Sequence, residues 1–123
     1  MILLLNFDPV GHYWASQYPV KIETPIVREG KQYWGWGNWG PDYIAIDLPG
    51  ISNSGWSLND RIVIAMCLLP HEAMHVRNKS AREEVPLLAQ YVCSDRAGAS
   101  WALKDEIYRQ LKATLPQPVD PEE

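Results

Sequence analysis

Basic residues are few in this sequence, and they do not form a cluster. The 123 residues include 11 lysines and arginines against 15 aspartates and glutamates, which gives a formal net charge of −4. Proteins that bind nucleic acid usually present a basic patch or stripe. The sequence therefore argues against DNA or RNA as the partner.

Long apolar runs are also missing. Residues 1–5 are apolar but far shorter than the roughly 20 residues that a membrane-spanning helix needs. They also lack the basic region and the small-residue cleavage site of a signal peptide. We therefore predict no membrane partner and a cytoplasmic location, with a monomer as the default state.

Cysteine is scarce, with only two residues in the chain. Both Cys67 and Cys93 fall in apolar stretches that have the character of helices. A free cysteine in such surroundings behaves as a small buried apolar residue. We predict that both are reduced core residues and that the protein does not require an oxidising compartment.

Tryptophan and tyrosine, by contrast, are abundant, with six of each against one phenylalanine. Three tryptophans fall in or beside the glycine-rich segment 35–40, whose composition predicts a loop. A large ring with a polar tip suits clefts and interfaces. We expect Trp36 and Trp39 to line a substrate cleft, and the alternative is that they cover a small core.

The chain length fits one domain, which we place at residues 1–115, with a flexible, acidic, proline-rich tail at 116–123. The first half is rich in glycine, proline and aromatic residues. It predicts strands at about 2–7, 19–23, 25–34 and 43–48, with a turn at Glu29-Gly30 inside the third. Residues 49–55 predict a turn-rich connection.

The second half predicts three helices. Ser57 is a typical cap for a helix that continues through Pro70 to about residue 78, with a kink or a break at the proline. Ser80 and Glu83 match a capping box for a helix to about residue 94, and the last helix covers about 100–115. The predicted fold is α+β, a small, mostly antiparallel sheet packed on a central helix plus two further helices.

His71-Glu72-Ala73-Met74-His75 lies on the predicted central helix. Residues four apart share a helical face, so the imidazoles of His71 and His75 can reach one zinc ion. Glu72, next to the first histidine, is placed to act as general base towards a zinc-activated water. The alternative is two ordinary histidines beside an ordinary glutamate.

A catalytic zinc ion takes three protein ligands and a water. The acids that follow the motif are Glu83, Glu84 and Asp95. Glu83 has the capping of Ser80 as its ordinary task. Glu84 falls on the predicted inward stripe with Leu88, where an unpaired charge is costly and a metal would compensate it. We prefer Glu84 as the third ligand, with Glu83 and Asp95 as alternatives.

Residues 42–95 resemble the zincin metallopeptidases, in particular the minimal gluzincins and the repressor-cleaving peptidases of the ImmA/IrrE type. The resemblance rests on His71-Glu72-Ala73-Met74-His75, on the strand before it and on Glu83-Glu84 after it. A phage or prophage origin is compatible with the pattern. The resemblance implies that His71, His75 and Glu84 bind zinc and that Glu72 is the general base.

In those families the strand before the motif helix forms one wall of the substrate cleft, so the resemblance assigns Tyr43, Ile44, Ala45 and Ile46 to substrate binding. An edge strand there could pair with an extended peptide. A tyrosine, Tyr91 or Tyr43, could donate to the developing oxyanion. The predicted activity is zinc-dependent hydrolysis of a protein or peptide.

Two other functions are compatible with these residues. One is an inactive binding or regulatory module of zincin fold that works through its tryptophan-rich loop, although the intact Glu72 argues against it. The other is a zinc hydrolase acting on another amide, such as a cell-wall peptide.

Overall fold

Two small sheets form the first half of the chain. In the computed structural model, which describes Tyr13 and residues 15–115, the strands are β1 (Val20–Ile22), β2 (Ile26–Arg28), β3 (Lys31–Tyr33), β4 (Gly35–Asn38) and β5 (Tyr43–Ile46). The three-stranded sheet has the order β1-β5-β4, with β1 parallel and β4 antiparallel to β5. The predicted strand at 2–7 and the predicted tail at 116–123 lie outside the described residues.

The hairpin of β2 and β3 closes at the predicted turn. Glu29 and Gly30 both have positive φ, at 54° and 76°. Two consecutive residues in this region are typical of the tight turns that match the twist of paired strands. The turn sets the antiparallel register in which Val27 faces Gln32.

Two local predictions for the first half are wrong. Residues 35–38, predicted as a loop from their glycines, form β4, because pairing with the buried strand β5 outweighs the low strand propensity of glycine. The predicted connection at 49–55 contains a short helix, α1 (Leu48–Ser52). Asp47 caps α1 by accepting a hydrogen bond from the Gly50 N–H at 2.9 Å, and Pro49 is tolerated in its first turn.

The central helix, α2 (Leu58–Asn78), is continuous for 21 residues. Ser57 caps it as predicted, with its hydroxyl accepting from the Asp60 N–H at 3.2 Å. Pro70 lies inside the helix without dividing it, so the predicted alternative of two helices is wrong. The helix ends at Lys79, which adopts a left-handed conformation.

Two further helices follow, α3 (Glu84–Arg96) and α4 (Trp101–Thr114). Gly98, with a φ of 82°, separates them. Ser100 caps α4 and also donates its N–H to the carboxylate of Asp60 at 2.9 Å, which ties the start of α4 to the start of α2. The predicted α+β fold, with small sheets beside the motif helix and two further helices, is confirmed, and two of the three strand pairings described are antiparallel.

The beginning of α3 differs from its prediction. The capping box of Ser80 with Glu83 does not form, because the helix begins at Glu84 and the Ser80 hydroxyl accepts from the Arg82 N–H instead. The Glu83 side chain is thereby free of a capping task.

The inward face of α3 is one residue out of phase with the predicted stripe. Val85 and Leu88, predicted to face inward, are 51% and 52% exposed. The buried positions are Pro86, Leu87, Gln90, Cys93 and Ser94. The helical spacing of apolar residues fits two faces of α3 that differ by one residue, and the prediction chose the wrong one. It therefore took Glu84, rather than Glu83, as the acid on the buried side.

Cys67 of α2 and Cys93 of α3 form a disulfide, with their Cα atoms 5.6 Å apart. Both residues are fully buried in the core between the sheet and the helices, as predicted. The prediction that they are reduced is wrong, because the two apolar stretches meet across α2 and α3. No helix in the described part of the chain has the length and apolar content to cross a membrane.

Candidate metal centre

His71 and His75 lie one turn apart on the buried face of α2. Their ring centroids are 5.2 Å apart, and both residues are buried. The Nε2 atom of each ring lies 3.1 Å from a carboxylate oxygen of Glu83. The predicted convergence of the two imidazoles on one point is therefore present in the fold.

The other nitrogen of each ring is held by an oxygen atom. His75 Nδ1 lies 2.7 Å from the backbone carbonyl of Ser80, and His71 Nδ1 lies 2.8 Å from the side-chain oxygen of Gln90. A carbonyl oxygen only accepts hydrogen bonds, so each Nδ1 carries the proton and donates it. In a neutral imidazole this leaves the Nε2 lone pair directed towards the shared point.

Glu83, immediately before α3, completes a set of three donor residues. Its two oxygens lie 3.1 Å from His71 Nε2 and 3.1 Å from His75 Nε2, and its side chain is 44% exposed. Two ligands held at about 2.0–2.2 Å by one tetrahedral ion are separated by roughly 3.3 Å. The spacing of these atoms is therefore close to that of ligands on a common metal.

The preferred ligand of the sequence prediction, Glu84, lies elsewhere. Its carboxylate lies 3.2 Å from the guanidinium of Arg82 on the surface. Asp95, the other alternative, lies near the far end of α3, with its carboxylate 3.3 Å from Lys104. Of the three acids considered, the structure brings only Glu83 to the histidines, which follows from the phase of α3.

The carboxylate of Glu72 lies beside the same point and is buried. One of its oxygens is 3.9 Å from His71 Nε2. Ligand-type atoms of His71, Glu72 and His75 all lie within 4.8 Å of one another, a group that could hold a metal ion. The residues present thus fit a cation that accepts nitrogen and oxygen ligands.

Burial and mutual contact alter the pKa values of this group. Burial raises the pKa of Glu72, although the neighbouring histidines oppose the shift. Burial would also raise the pKa of Glu83, but hydrogen bonds that His71 and His75 donate through Nε2–H when no metal is bound lower it to about 2. For His75 burial acts to lower the pKa, and the contacts with Glu83 and Ser80 outweigh it, so the pKa is raised.

Two glycines of β4 allow this strand to approach α2, a feature that the sequence analysis missed. A Cβ atom on Gly35 would lie 2.6 Å from the Glu72 carboxylate. A Cβ atom on Gly37 would lie 2.6 Å from the Glu72 carbonyl oxygen and 3.0 Å from His75 Cβ. The alternating Gly-Trp-Gly pattern is the signal that could have predicted a strand with one bare face.

The predicted substrate-binding residues fall into two groups. Trp36 and Trp39 line a cavity of about 140 Å³ together with the two histidines, Glu72 and Glu83. The β5 residues Tyr43, Ile44, Ala45 and Ile46 do not line it, because β5 is the central strand and both of its sides are paired. The edge strand next to the motif is β4.

Tyr91, a predicted oxyanion donor, lies away from the histidines. Its ring centroid is 6.3 Å from that of Tyr108 on α4, and it lines a separate surface cavity with Trp101. Neither of the two cavities that border the Glu72 carboxylate includes Tyr91. The assignment rested on nearness to the motif in sequence, whereas Tyr91 contacts Tyr108 of α4 instead.

A second cavity, of about 500 Å³, adjoins the first one on the side of α3 and α4. The histidine-glutamate cluster therefore lies at the junction of an aromatic cavity and a larger apolar one.

Comparison of the chain with models of protein families, with curated proteins and with solved structures finds no match.

Proposed function

We propose that this protein is a zinc-dependent metallopeptidase that hydrolyses peptide bonds of a protein or peptide substrate. The observation that supports the proposal best is the convergence of His71 Nε2, His75 Nε2 and the Glu83 carboxylate within 3.1 Å contacts, beside the buried Glu72. Two imidazoles and a carboxylate are a typical ligand set of catalytic zinc.

In this proposal His71, His75 and Glu83 hold the ion, and Glu83 replaces Glu84 as the third ligand. Zinc, when bound, lowers the pKa of a water molecule and polarises the carbonyl of the cleaved bond. Gln90 and the Ser80 carbonyl keep the imidazoles oriented from behind. The rigid platform for the ligands is α2, which the disulfide joins to α3.

Glu72 is the proposed general base. Its carboxylate accepts a proton from the attacking water and then delivers it to the nitrogen of the departing amine. Its carboxylate is buried beside the proposed metal ligands, with one oxygen 3.9 Å from His71 Nε2. The contact with the bare face of Gly35 fixes where that carboxylate lies.

The substrate would extend along β4. In an antiparallel pair, the backbone N–H and C=O of successive residues point alternately towards the partner strand and away from it. The Trp34 carbonyl points towards β5, because it accepts from the Asp47 N–H. The backbone groups of Gly35 and Gly37 therefore point away from β5. The Gly37 N–H is already hydrogen-bonded to the Glu72 carboxylate, so an extended peptide would add to this edge through the Gly35 groups and the Gly37 carbonyl. This assignment moves the proposed cleft wall from residues 43–46 to β4, with Trp36 and Trp39 as its side-chain contacts.

The cytoplasmic location stays a prediction, and the disulfide of Cys67 and Cys93 weighs against it. Disulfides persist mainly in oxidising compartments. The choice of a monomer without nucleic-acid or membrane partners is likewise part of the proposal. Mass spectrometry of the alkylated protein, isolated from its own cell, would measure how much of Cys67 and Cys93 is oxidised there.

Replacement of Glu72 by glutamine tests the activity. We expect the zinc-loaded wild-type protein to cleave peptides in a complex mixture, and Glu72→Gln to cleave them at least about 100-fold more slowly while keeping its zinc. Asp105→Asn, which removes an exposed carboxylate on α4 outside both cavities, is the control and should cleave normally. Equal cleavage by Glu72→Gln and wild type would refute the assignment of the base, and a zinc-binding protein with no cleavage at all would favour a binding module.

A further inference from the structure

The larger of the two cavities at the metal centre has no task in the hydrolysis as described. It has a volume of about 500 Å³, against about 140 Å³ for the aromatic cavity on the other side. Five residues line both cavities, namely Tyr33, Gly35, His71, Glu72 and Glu83. A peptide held at the metal centre would therefore have direct access to this space.

The walls of the large cavity are mainly apolar. Trp34 and Trp56 line one side, and Leu68, Leu87 and Ile107 contribute from three helices. This size and lining are typical of cavities that bind small molecules or side chains, for which about 300–1,000 Å³ is usual. The space therefore favours a large apolar group.

The acidic residues described in the lining of the same cavity are three glutamates, one of which, Glu106, forms an ion pair with Arg109 at 2.7 Å. Glu72 and Glu83 lie at the end near the metal centre, and Glu106 lies at the α4 side. Among the described residues that line the cavity, none is a lysine or an arginine. An acidic side chain would lose its hydration there without gaining a basic partner among the described lining residues, which is unfavourable.

We propose that this cavity is the specificity pocket of the enzyme and that it takes a bulky apolar side chain next to the cleaved bond. Leucine, methionine and phenylalanine are the preferred residues, and aspartate and glutamate are rejected. The inference rests on the proposed function, because it is the metal centre that brings a peptide to the mouth of the cavity. It adds a substrate class to that function.

The test begins with a peptide mixture from a digested cell proteome, incubated with zinc-loaded protein, with the cleavage sites mapped by mass spectrometry. We expect one position beside the cleaved bond to prefer leucine, methionine or phenylalanine over alanine by about 10–200-fold, the range that apolar pockets achieve. Acidic residues should be depleted there. A uniform distribution at both flanking positions would overturn the pocket and leave the hydrolytic function intact.

A variant whose side chain fills the cavity tests the pocket, with a matched substitution outside the cavity as its control. Ala113 is exposed on α4 and lines the cavity, so Ala113→Trp should reduce cleavage beside phenylalanine at least about 10-fold and shift the preference towards alanine. Ala102, exposed on the same helix and outside the cavity, gives the control, since Ala102→Trp should cleave as wild type does. Equal profiles for the two variants would count against the pocket.

A binding measurement tests the specificity pocket independently of hydrolysis. Zinc-loaded Glu72→Gln protein is titrated by calorimetry with acetyl-Gly-Phe-Gly amide and with the matching glutamate peptide. We expect the phenylalanine peptide to bind at least about 10-fold more tightly, and Ala113→Trp to remove the difference. Selective binding without cleavage would refute the peptidase alone, whereas equal binding of the two peptides would refute the pocket whether or not the wild type is active.

Discussion

The side-chain oxygen of Gln90 lies 2.8 Å from Nδ1 of His71, and both residues are buried. This contact joins α3 to the motif helix directly behind the proposed metal ligand. Partners of this kind orient a ligating imidazole, and their loss usually costs about 10–100-fold in metal affinity.

We therefore expect Gln90→Leu to weaken zinc binding by about 10–100-fold while the protein stays folded. Competition with a chromophoric chelator measures the Kd, and circular dichroism monitors the fold. Gln32→Leu, at an exposed position of β3 outside both cavities, is the control. An unchanged Kd in Gln90→Leu would show that Gln90 does not support the site.

Gly37 should tolerate no side chain. A Cβ atom there would lie 2.6 Å from the carbonyl oxygen of Glu72, which belongs to the backbone and cannot easily move. We expect Gly37→Ala to lower the free energy of unfolding by about 1–3 kcal/mol, as overpacking usually does. Urea denaturation measures the effect, and Gly55→Ala, where a Cβ atom meets nothing within 4 Å, should change stability little. Similar stability of both variants would contradict the close packing of β4 on α2.

The disulfide should contribute strongly to stability. Cys67 and Cys93 close a loop with a sequence separation of 26 residues, for which the chain-entropy relation gives about 3.5 kcal/mol. We expect dithiothreitol to lower the urea midpoint of the wild-type protein and to leave the Cys67→Ala/Cys93→Ala double variant unaffected. A wild-type protein equally stable with and without reductant would mean that the bond does not form in solution.

Acid should destabilise the protein partly through Asp60. Burial acts to raise the pKa of Asp60, but hydrogen bonds from the Ser100 N–H and hydroxyl and from Ser57 outweigh it and leave the pKa below its ordinary value of 3.8. A pKa that is lower in the folded state than in the unfolded state means that ionised Asp60 stabilises the fold. This contribution to the free energy of unfolding is complete above the unfolded-state pKa. It is lost as pH falls through the folded-state value.

The corresponding variant is Asp60→Asn. We expect it to be about 1–3 kcal/mol less stable than wild type at neutral pH, with the difference shrinking as the pH falls below the unfolded-state pKa of about 3.9. Unfolding by urea at several pH values measures both effects. Asp105→Asn, which removes an exposed ion pair with Arg109, should cost less than about 1 kcal/mol. A difference between wild type and Asp60→Asn that does not vary with pH would argue against an ionised Asp60.

The parts of the fold that the sequence predicts well carry local signals. The predicted cap Ser57 lies where α2 begins, and the spacing of His71 and His75 alone places both on one face. The turn at Glu29-Gly30 is also predicted locally, because glycine adopts positive φ more readily than other residues. These features depend on neighbours in sequence.

The missed features depend on contacts between distant residues. Glycine-rich β4 is a strand because β5 and α2 surround it, and Cys67 reaches Cys93 only after α2 and α3 pack. The choice between Glu83 and Glu84 required the phase of α3, which the segment between the helices sets. A one-residue shift there exchanges a buried face for an exposed one.

The central claim is that His71, His75 and Glu83 bind one zinc ion, and adjacent glutamates allow a direct test of it. Metal content and zinc Kd are measured by plasma mass spectrometry and chelator competition for wild type, His75→Ala, Glu83→Ala and Glu84→Ala. We predict about one zinc per chain in wild type and in Glu84→Ala, and loss or severe weakening of zinc binding in the other two. A wild-type protein that binds no zinc, or a Glu83→Ala variant that binds it as tightly as Glu84→Ala does, would contradict the account.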